Sequence, residues 1–471
     1  MDESRIEMIE LMKKFLSSAK LDRIALDISE RLPLTLKQRL FYGRSFLYWK
    51  AFLQESEKWD SERVSTYRVE QLRNLLRHAA GNVPYYAKLF SDVGFDPRKL
   101  QHPDDLKALP YLEKGTVRDR FDEFIDKSIP LKSIVEQFTS GTTGIPLRIY
   151  ETREWSGIYH AFLYNALERI GYAPADREVQ FWTMIEFGKK KDLPFVRSGN
   201  KLILSNRYVS REWLLRYVAM ISEFKPVFVT GYPSTLSILA AFMKENSIPA
   251  FDALRVAIVH SETMYTWQRT LLQEIISPRL FSVYAMTEPT IFAAQCEHAA
   301  SQHVYPQSGL VEFIDTGTGY EEIAVTGFNN YAMPFIRYKT TDLGVRGKDN
   351  CNSCGRHHQL IDKIVGRMDD FLIDKEGRVI SRLLSWVKIF PNTRQYQFFQ
   401  EEPGRAYLKI VRGERFSESD TSYIRSQLAE MLGPMKDTID IEIVFVDQTR
   451  TAPTGKMHLV EQKLDLREYL G

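Results

Sequence analysis

The sequence predicts a mixed α/β protein: a large multi-sheet domain followed by a small α+β domain. Three observations carry that prediction. In the middle of the chain, short β-branched runs such as Val227-Phe228-Val229-Thr230 and Val256-Ala257-Ile258-Val259 alternate with helical stretches. Beyond Gly366-Arg367-Met368-Asp369-Asp370 the pattern runs strand, helix and strand. A chain of 471 residues is also too long for one compact core.

In chain order, residues 1–61 read as a helical extension. Ile6, Ile9, Leu11, Met12, Phe15 and Leu16 recur near helical spacing, and residues 42–53 are rich in aromatics. Such a stripe is a packing face; docking on a membrane surface is a second reading, helped by Lys13, Lys14, Lys20 and Arg23. Residues 62–366 form the expected large domain. Its apolar segment 214–243 contains Glu223, Lys225, Pro226 and Pro233 and is no membrane span. Residues 367–471 form the expected lid, opening with two short strands around the turn Asp374-Lys375-Glu376-Gly377. The net charge of +2, with mixed signs, gives no nucleic-acid footprint. The first residues lack the uninterrupted apolar core of a signal peptide, so a cytoplasmic location is expected.

The run Phe138-Thr139-Ser140-Gly141-Thr142-Thr143-Gly144-Ile145-Pro146 crowds hydroxyls and glycines into one loop. Gly141 and Gly144 let backbone N–H groups turn inward, and Thr139, Ser140, Thr142 and Thr143 add neutral donors, a combination that wraps phosphate. It is not a Walker A loop, which ends in Lys followed by Ser or Thr. Alone it reads equally as a turn.

Four further segments follow in order: Tyr284-Ala285-Met286-Thr287-Glu288, Tyr338-Lys339-Thr340-Thr341-Asp342, Gly366-Arg367-Met368-Asp369-Asp370 and Pro453-Thr454-Gly455-Lys456. With the hydroxyl loop they resemble the adenylate-forming superfamily of acyl-CoA synthetases, adenylation domains and luciferases, from about residue 66 onward. Each residue suits a site that joins a carboxylate to ATP. Tyr284 offers a flat partner for adenine, Asp342 accepts from ribose hydroxyls, and Arg367 assists at the sugar or phosphates. Glu288 suits Mg²⁺, Thr287 donates to the α-phosphate, and Lys456 stabilises the charge of the transition state. The resemblance implies lid closure, with Asp369 or Asp370 at the hinge. Taken singly, each residue also has a plain structural reading as a core aromatic, a cap or a surface ion pair. Thr341 stands where many relatives have glycine, and Ala285 replaces the glycine usual after the aromatic.

Within the superfamily, Leu75-Leu76-Arg77-His78-Ala79-Ala80-Gly81-Asn82-Val83-Pro84-Tyr85-Tyr86 and Gly231-Tyr232-Pro233-Ser234 most resemble phenylacetate-CoA ligases and their capsule-type relatives. The resemblance implies an ATP- and Mg²⁺-dependent ligase that forms an acyl-adenylate and passes the acyl group to a thiol, coenzyme A first, a carrier protein or an amine as the alternative. An aryl acid is the default substrate; an unusual acid destined for a polysaccharide is the rival. Trp182, Phe187, Tyr232, His260 and Phe281 are candidate walls of the acid pocket, each equally explained as core. A non-catalytic nucleotide-binding scaffold in a polysaccharide-assembly complex is the other class, and a homodimer is left open.

A second constellation stands apart from ATP. Cys351-Asn352-Ser353-Cys354 is a CxxC pair, and Cys296 precedes His298 and His303. Three thiolates and an imidazole suit a closed, structural Zn²⁺ site near Asp342. The resemblance favours His303 over His298, since some of the phenylacetate ligase branch carry a structural zinc with similar spacing. His357 and His358 are further candidates, and a redox CxxC or three plain thiols are the competing readings.

Overall fold

The computed structural model describes residues 34–139, 147–182, 185, 193–317, 319–367, 371–380, 390, 392–432, 436–450, 459–464 and 469. Its helices are α1 (Leu34–Ser56), α2 (Ser61–Asn82), α3 (Pro84–Asp92), α4 (Trp155–Glu168), α5 (Arg211–Phe224), α6 (Pro233–Glu245), α7 (Thr266–Ile275) and α8 (Glu418–Leu432), with shorter turns between them.

One twelve-stranded sheet dominates the described residues. Its parallel part is β5 (Lys201–Ser205), β3 (Glu178–Trp182), β6 (Phe228–Gly231), β7 (Val256–His260) and β8 (Leu280–Ala285), in that spatial order, with β4 (Phe195–Ser198) antiparallel at the edge. From β8 the sheet continues antiparallel through β9 (Phe292–Gln295), β10 (Gln302–Val304), β14 (Leu360–Arg367), β13 (Tyr338–Arg346), β12 (Glu321–Gly327) and β11 (Gly309–Asp315).

Strand alternation explains why the parallel strands read as unbroken β-branched runs. Val229, Ala257 and Val259 enter a core with Leu214, Tyr217, Leu236, Leu239 and Leu272 of α5, α6 and α7. Phe228, Val256 and Ile258 enter another with Phe46 and Leu53 of α1 and Phe162 and Ala166 of α4. Both faces are covered, so neither needs polar residues. Within the described part of the N-terminal extension the aromatic stripe is a packing face: Phe46 and Leu53 are fully buried, each contributing about 1.5–3 kcal/mol relative to exposure. Helix α2 begins at the N-cap Asp60, whose side chain accepts from Arg63 N at 2.8 Å. It buries Leu72, Leu75, Leu76 and Ala79, at helical spacing, against the antiparallel strands.

A hairpin of β1 (Ile134–Phe138) and β2 (Arg148–Thr152) stands apart from the large sheet. After two short strands, β15 (Leu372–Ile373) and β16 (Val379–Ile380), the C-terminal unit is a four-stranded sheet. Its order is β19 (Asp440–Phe445), β18 (Arg405–Arg412), β17 (Thr393–Glu402), β20 (Val460–Gln462). Helix α8 buries Ile424, Leu428 and Leu432 in a core shared with Phe398, Leu408 and Ile410. No helix among the described residues is long and apolar enough to cross a membrane.

Candidate active site

A cleft of about 540 Å³ opens at the C-terminal ends of β6, β7 and β8, where parallel pairing gives way to antiparallel. Open α/β sheets bind ligands at such strand ends because the loops that follow neighbouring strands diverge there. After β6 the chain turns into α6, whose Ser234 donates its N–H and hydroxyl to Glu262 at 3.0 and 2.9 Å. Ser261, just before Glu262, holds φ at 67° and also lines the cleft. A non-glycine residue in that region is held by its surroundings.

Strand β8 delivers Tyr284 to the same cleft. Its hydroxyl donates to Asp342 Oδ2 at 2.7 Å, and Arg367 Nε donates to Asp342 Oδ1 at 2.9 Å. Asp342 and Arg367 face each other in register on β13 and β14, which is why residues 25 apart in sequence meet. Burial and the Asp342 carboxylate push the Tyr284 phenol well above its ordinary pKa, so it stays a donor. Glu288 is buried and takes the Tyr338 hydroxyl on Oε1 at 2.9 Å. Burial, then Glu288, raises the Tyr338 phenol in the same way. Thr287 is exposed and lines the cleft beside Glu288. Thr341 sits at φ 64°, the conformation that glycine adopts without cost.

Of the hydroxyl loop, Thr139 is described, and it clamps the two stems. Its N–H donates to Leu147 O at 2.9 Å and its Oγ1 accepts from Leu147 N at 2.9 Å. Ser140, Gly141, Thr142, Thr143 and Gly144 lie outside the described residues, as do Asp369, Asp370, Lys456 and Phe187. The C-terminal unit reaches the cleft with Arg394, Gln395, Tyr396 and Leu459, the last three residues on from Lys456. Trp182, Tyr232, His260 and Phe281 do not line it. Trp182 is exposed, Phe281 is fully buried in the core, and Tyr232 packs edge-on against His260. Tyr159, Ser234, Ile238 and Met264 line the cleft. Ser234 and Glu262 carry no sequence pattern that marks their pairing, because 28 residues separate them.

Cys296, His303, Cys351 and Cys354 converge, with every donor atom within 4.8 Å of the others. Cys296 Sγ lies 3.8 Å from Cys351 Sγ, and Cys354 Sγ lies 3.5 Å from His303 Nε2. A tetrahedron with Zn–S and Zn–N bonds of about 2.3 and 2.05 Å has edges of roughly 3.75 and 3.55 Å, so the donors fit that ion. The sulfur separation is far from the roughly 2.05 Å of a disulfide. Burial, with Arg169 and Arg356 next, brings His303 down to about 3, leaving the neutral imidazole that ligates metals. Burial raises the Cys351 thiol, but N–H groups of Cys354 and Ser353 donate to its sulfur and bring it below the ordinary value. His298 is exposed and contributes only its backbone N–H to Cys296 Sγ, at 3.4 Å. His357 bonds Asn350, and His358 stands edge-on to His303 outside the donor set.

No family model matches the chain. The phenylacetate-coenzyme A ligase of Thermus thermophilus is 25% identical over 383 residues, 77% of this chain and 84% of that one. That of Aromatoleum evansii is 25% identical over 433 residues, 87% and 93% of the two chains. The chain is thus similar to phenylacetate-CoA ligases along most of its length. The ligase-like chain is also 20% identical to the protein CapK of Staphylococcus aureus over 439 residues, 91% of this chain and 96% of CapK. Its fold is that of 2-hydroxyisobutyryl-CoA ligase in the postadenylation state, with a TM-score of 0.66 at 16% identity, covering 88% of this chain and 92% of that one. Against the same enzyme in its thioesterification state the TM-score falls to 0.56, at 17% identity and equal coverage.

Proposed function

We propose that the protein activates a carboxylic acid with ATP and passes the acyl group to coenzyme A. The observation that carries this is the Tyr284–Asp342–Arg367 chain of hydrogen bonds in one cleft with Glu288 and Thr139. In the first half-reaction the acid's carboxylate oxygen bonds to the α-phosphorus and pyrophosphate leaves. In the second, the thiol sulfur bonds to the acyl carbon, AMP leaves and the thiol proton is lost. Tyr284 presents its ring to adenine, and Asp342, fixed by two donors, accepts from the ribose. Glu288 Oε1 is engaged by Tyr338, so Oε2 is the atom that would hold Mg²⁺, which supplies charge neutralisation on the phosphates. Thr287 is assigned to the α-phosphate, the loop of Ser140, Gly141, Thr142, Thr143 and Gly144 to the outer phosphates, and Lys456 to the charge of the adenylation transition state.

Incubation with ATP, Mg²⁺ and a panel of aryl, alkyl and amino acids is expected to release pyrophosphate with at least one acid. No release across the panel, together with no ATP binding, would sink the reading. Lys456→Ala is expected to slow adenylation by a factor of hundreds, while thioester formation from supplied acyl-adenylate survives. We assign structural zinc to Cys296, His303, Cys351 and Cys354; elemental analysis of protein purified without chelator checks it. The same reading puts the protein in the cytoplasm, where ATP, coenzyme A and reduced thiols coexist. The likeness to CapK along nearly the whole chain supports a second reading, in which the acid is an unusual one and the acceptor a carrier thiol. Comparing coenzyme A with carrier proteins as acceptors separates the two.

A further inference from the structure

The four acids that line the cleft each have a partner in the protein. Glu262 is held by Ser234, Glu288 by Tyr338, Asp342 by Tyr284 and Arg367, and Asp362 by Ser301 at 2.7 Å. Two of the cleft's arginines are paired as well: Arg367 with Asp342, and Arg394 with Glu414 at 3.1 Å. Arg269 differs. It lines the same cleft from α7, half-buried, and among the described residues its guanidinium makes no hydrogen bond or ion pair. Its backbone N–H donates to Tyr265 O, one turn earlier, and Tyr265 packs against the core of the C-terminal unit. Arg269 therefore stands where the two units close on the cleft. Burial lowers its pKa with no anion offsetting it. A partly desolvated guanidinium with no acceptor in the protein gains from a ligand that supplies one.

We propose that Arg269 is a phosphate-recognition residue of this cleft, separate from the hydroxyl loop. Resting on the ligase reading, it takes a diphosphate group from either ATP or coenzyme A. The planar guanidinium matches two phosphate oxygens at once, which an ammonium does not. Its place at the seam between the units makes phosphate binding there sensitive to how the C-terminal unit sits.

The test is calorimetric titration of ATP, pyrophosphate and coenzyme A, each with Mg²⁺, into full-length wild-type, Arg269→Gln and Arg269→Lys proteins, with a melting curve for each. Arg269→Gln is expected to weaken at least one ligand about tenfold or more, with melting unchanged and partial recovery in Arg269→Lys. Loss for ATP and pyrophosphate together identifies the nucleotide as the source; loss for coenzyme A alone identifies the coenzyme. Wild-type affinity of Arg269→Gln for all three, or equal losses that follow a lowered melting temperature in both variants, would overturn the site and leave the ligase reading standing. Wild-type protein that binds none of the three would overturn both.

Discussion

Asp342 receives Tyr284 on one oxygen and Arg367 on the other, so its carboxylate plane is fixed before any nucleotide arrives. Asp342→Asn keeps the shape but places an amide N–H₂ opposite one of those two donors. It is expected to raise the KM for ATP about tenfold or more, with a smaller change for the acid; equal effects on both substrates would argue for general misfolding. The thiol and imidazole cluster gives a pH prediction. Burial holds Cys296 up to about 12, so zinc binding at neutral pH must displace its proton, whereas His303, at about 3, has none to lose. Zinc affinity of the metal-free protein should therefore rise with pH across the neutral range, with no inflection near the ordinary imidazole value of about 6.5. Proton release measured calorimetrically in buffers of different ionisation enthalpy checks this, and an imidazole inflection would refute it.

Two elements carry strain or crowding that the site depends on. Thr341 is β-branched at φ 64°, a conformation that costs about 1–2 kcal/mol for a side chain with Cβ, while glycine costs about 0.5–1 kcal/mol in chain entropy. Thr341→Gly should thus melt no lower than wild type, and a clear loss of stability would show that its side chain holds β13 in place. Gly327 of β12 leaves no room: an added Cβ would lie 2.5 Å from Thr290 Cα and 2.7 Å from Pro289 O. That backbone directly follows Glu288. Gly327→Ala is expected to cost about 1–3 kcal/mol of stability and to slow pyrophosphate release at saturating ATP; unchanged melting and turnover would mean that the strand shifts freely.

At the scale of the whole molecule, the C-terminal unit is tied to the large one through Glu414. Its side chain accepts from Arg211 at 2.5 Å and from Arg394 at 3.1 Å, and its N–H donates to Glu245 at 2.6 Å. Arg211 and Glu414 are exposed and Arg394 and Glu245 partly so, so their worth to global stability is small, about 0–1 kcal/mol. Their leverage lies in orientation, since any movement of the C-terminal unit against the large one would have to break them. Glu414→Ala should change the ratio of adenylation to thioester formation several-fold in single-turnover assays, without lowering the melting temperature. Equal slowing of both half-reactions would discount the tie.

The α/β class is legible in the residues alone, because strands buried on both faces must be apolar at every position and helices between them must show a 3.6-residue period. Tyr284, Glu288, Asp342 and Arg367 are legible only through the ordered motifs that resemble the adenylate-forming superfamily, since each taken singly has a plain structural reading, whereas the three cysteines are legible as thiols beside histidines. Choosing His303 from its neighbours by structure needed the pairing of β10 with β9 and β14, which buries His303 and leaves His298 outside. The Ser234–Glu262 bond, the Tyr338–Glu288 bond and the place of Arg269 in the cleft belong to the tertiary structure. Each brings together residues from elements far apart in the chain, and side-chain type carries no record of that distance. The aromatics Trp182, His260 and Phe281 mark the limit from the other side: an aromatic residue serves a core and a pocket wall with the same surface, so only the packing around it separates the two.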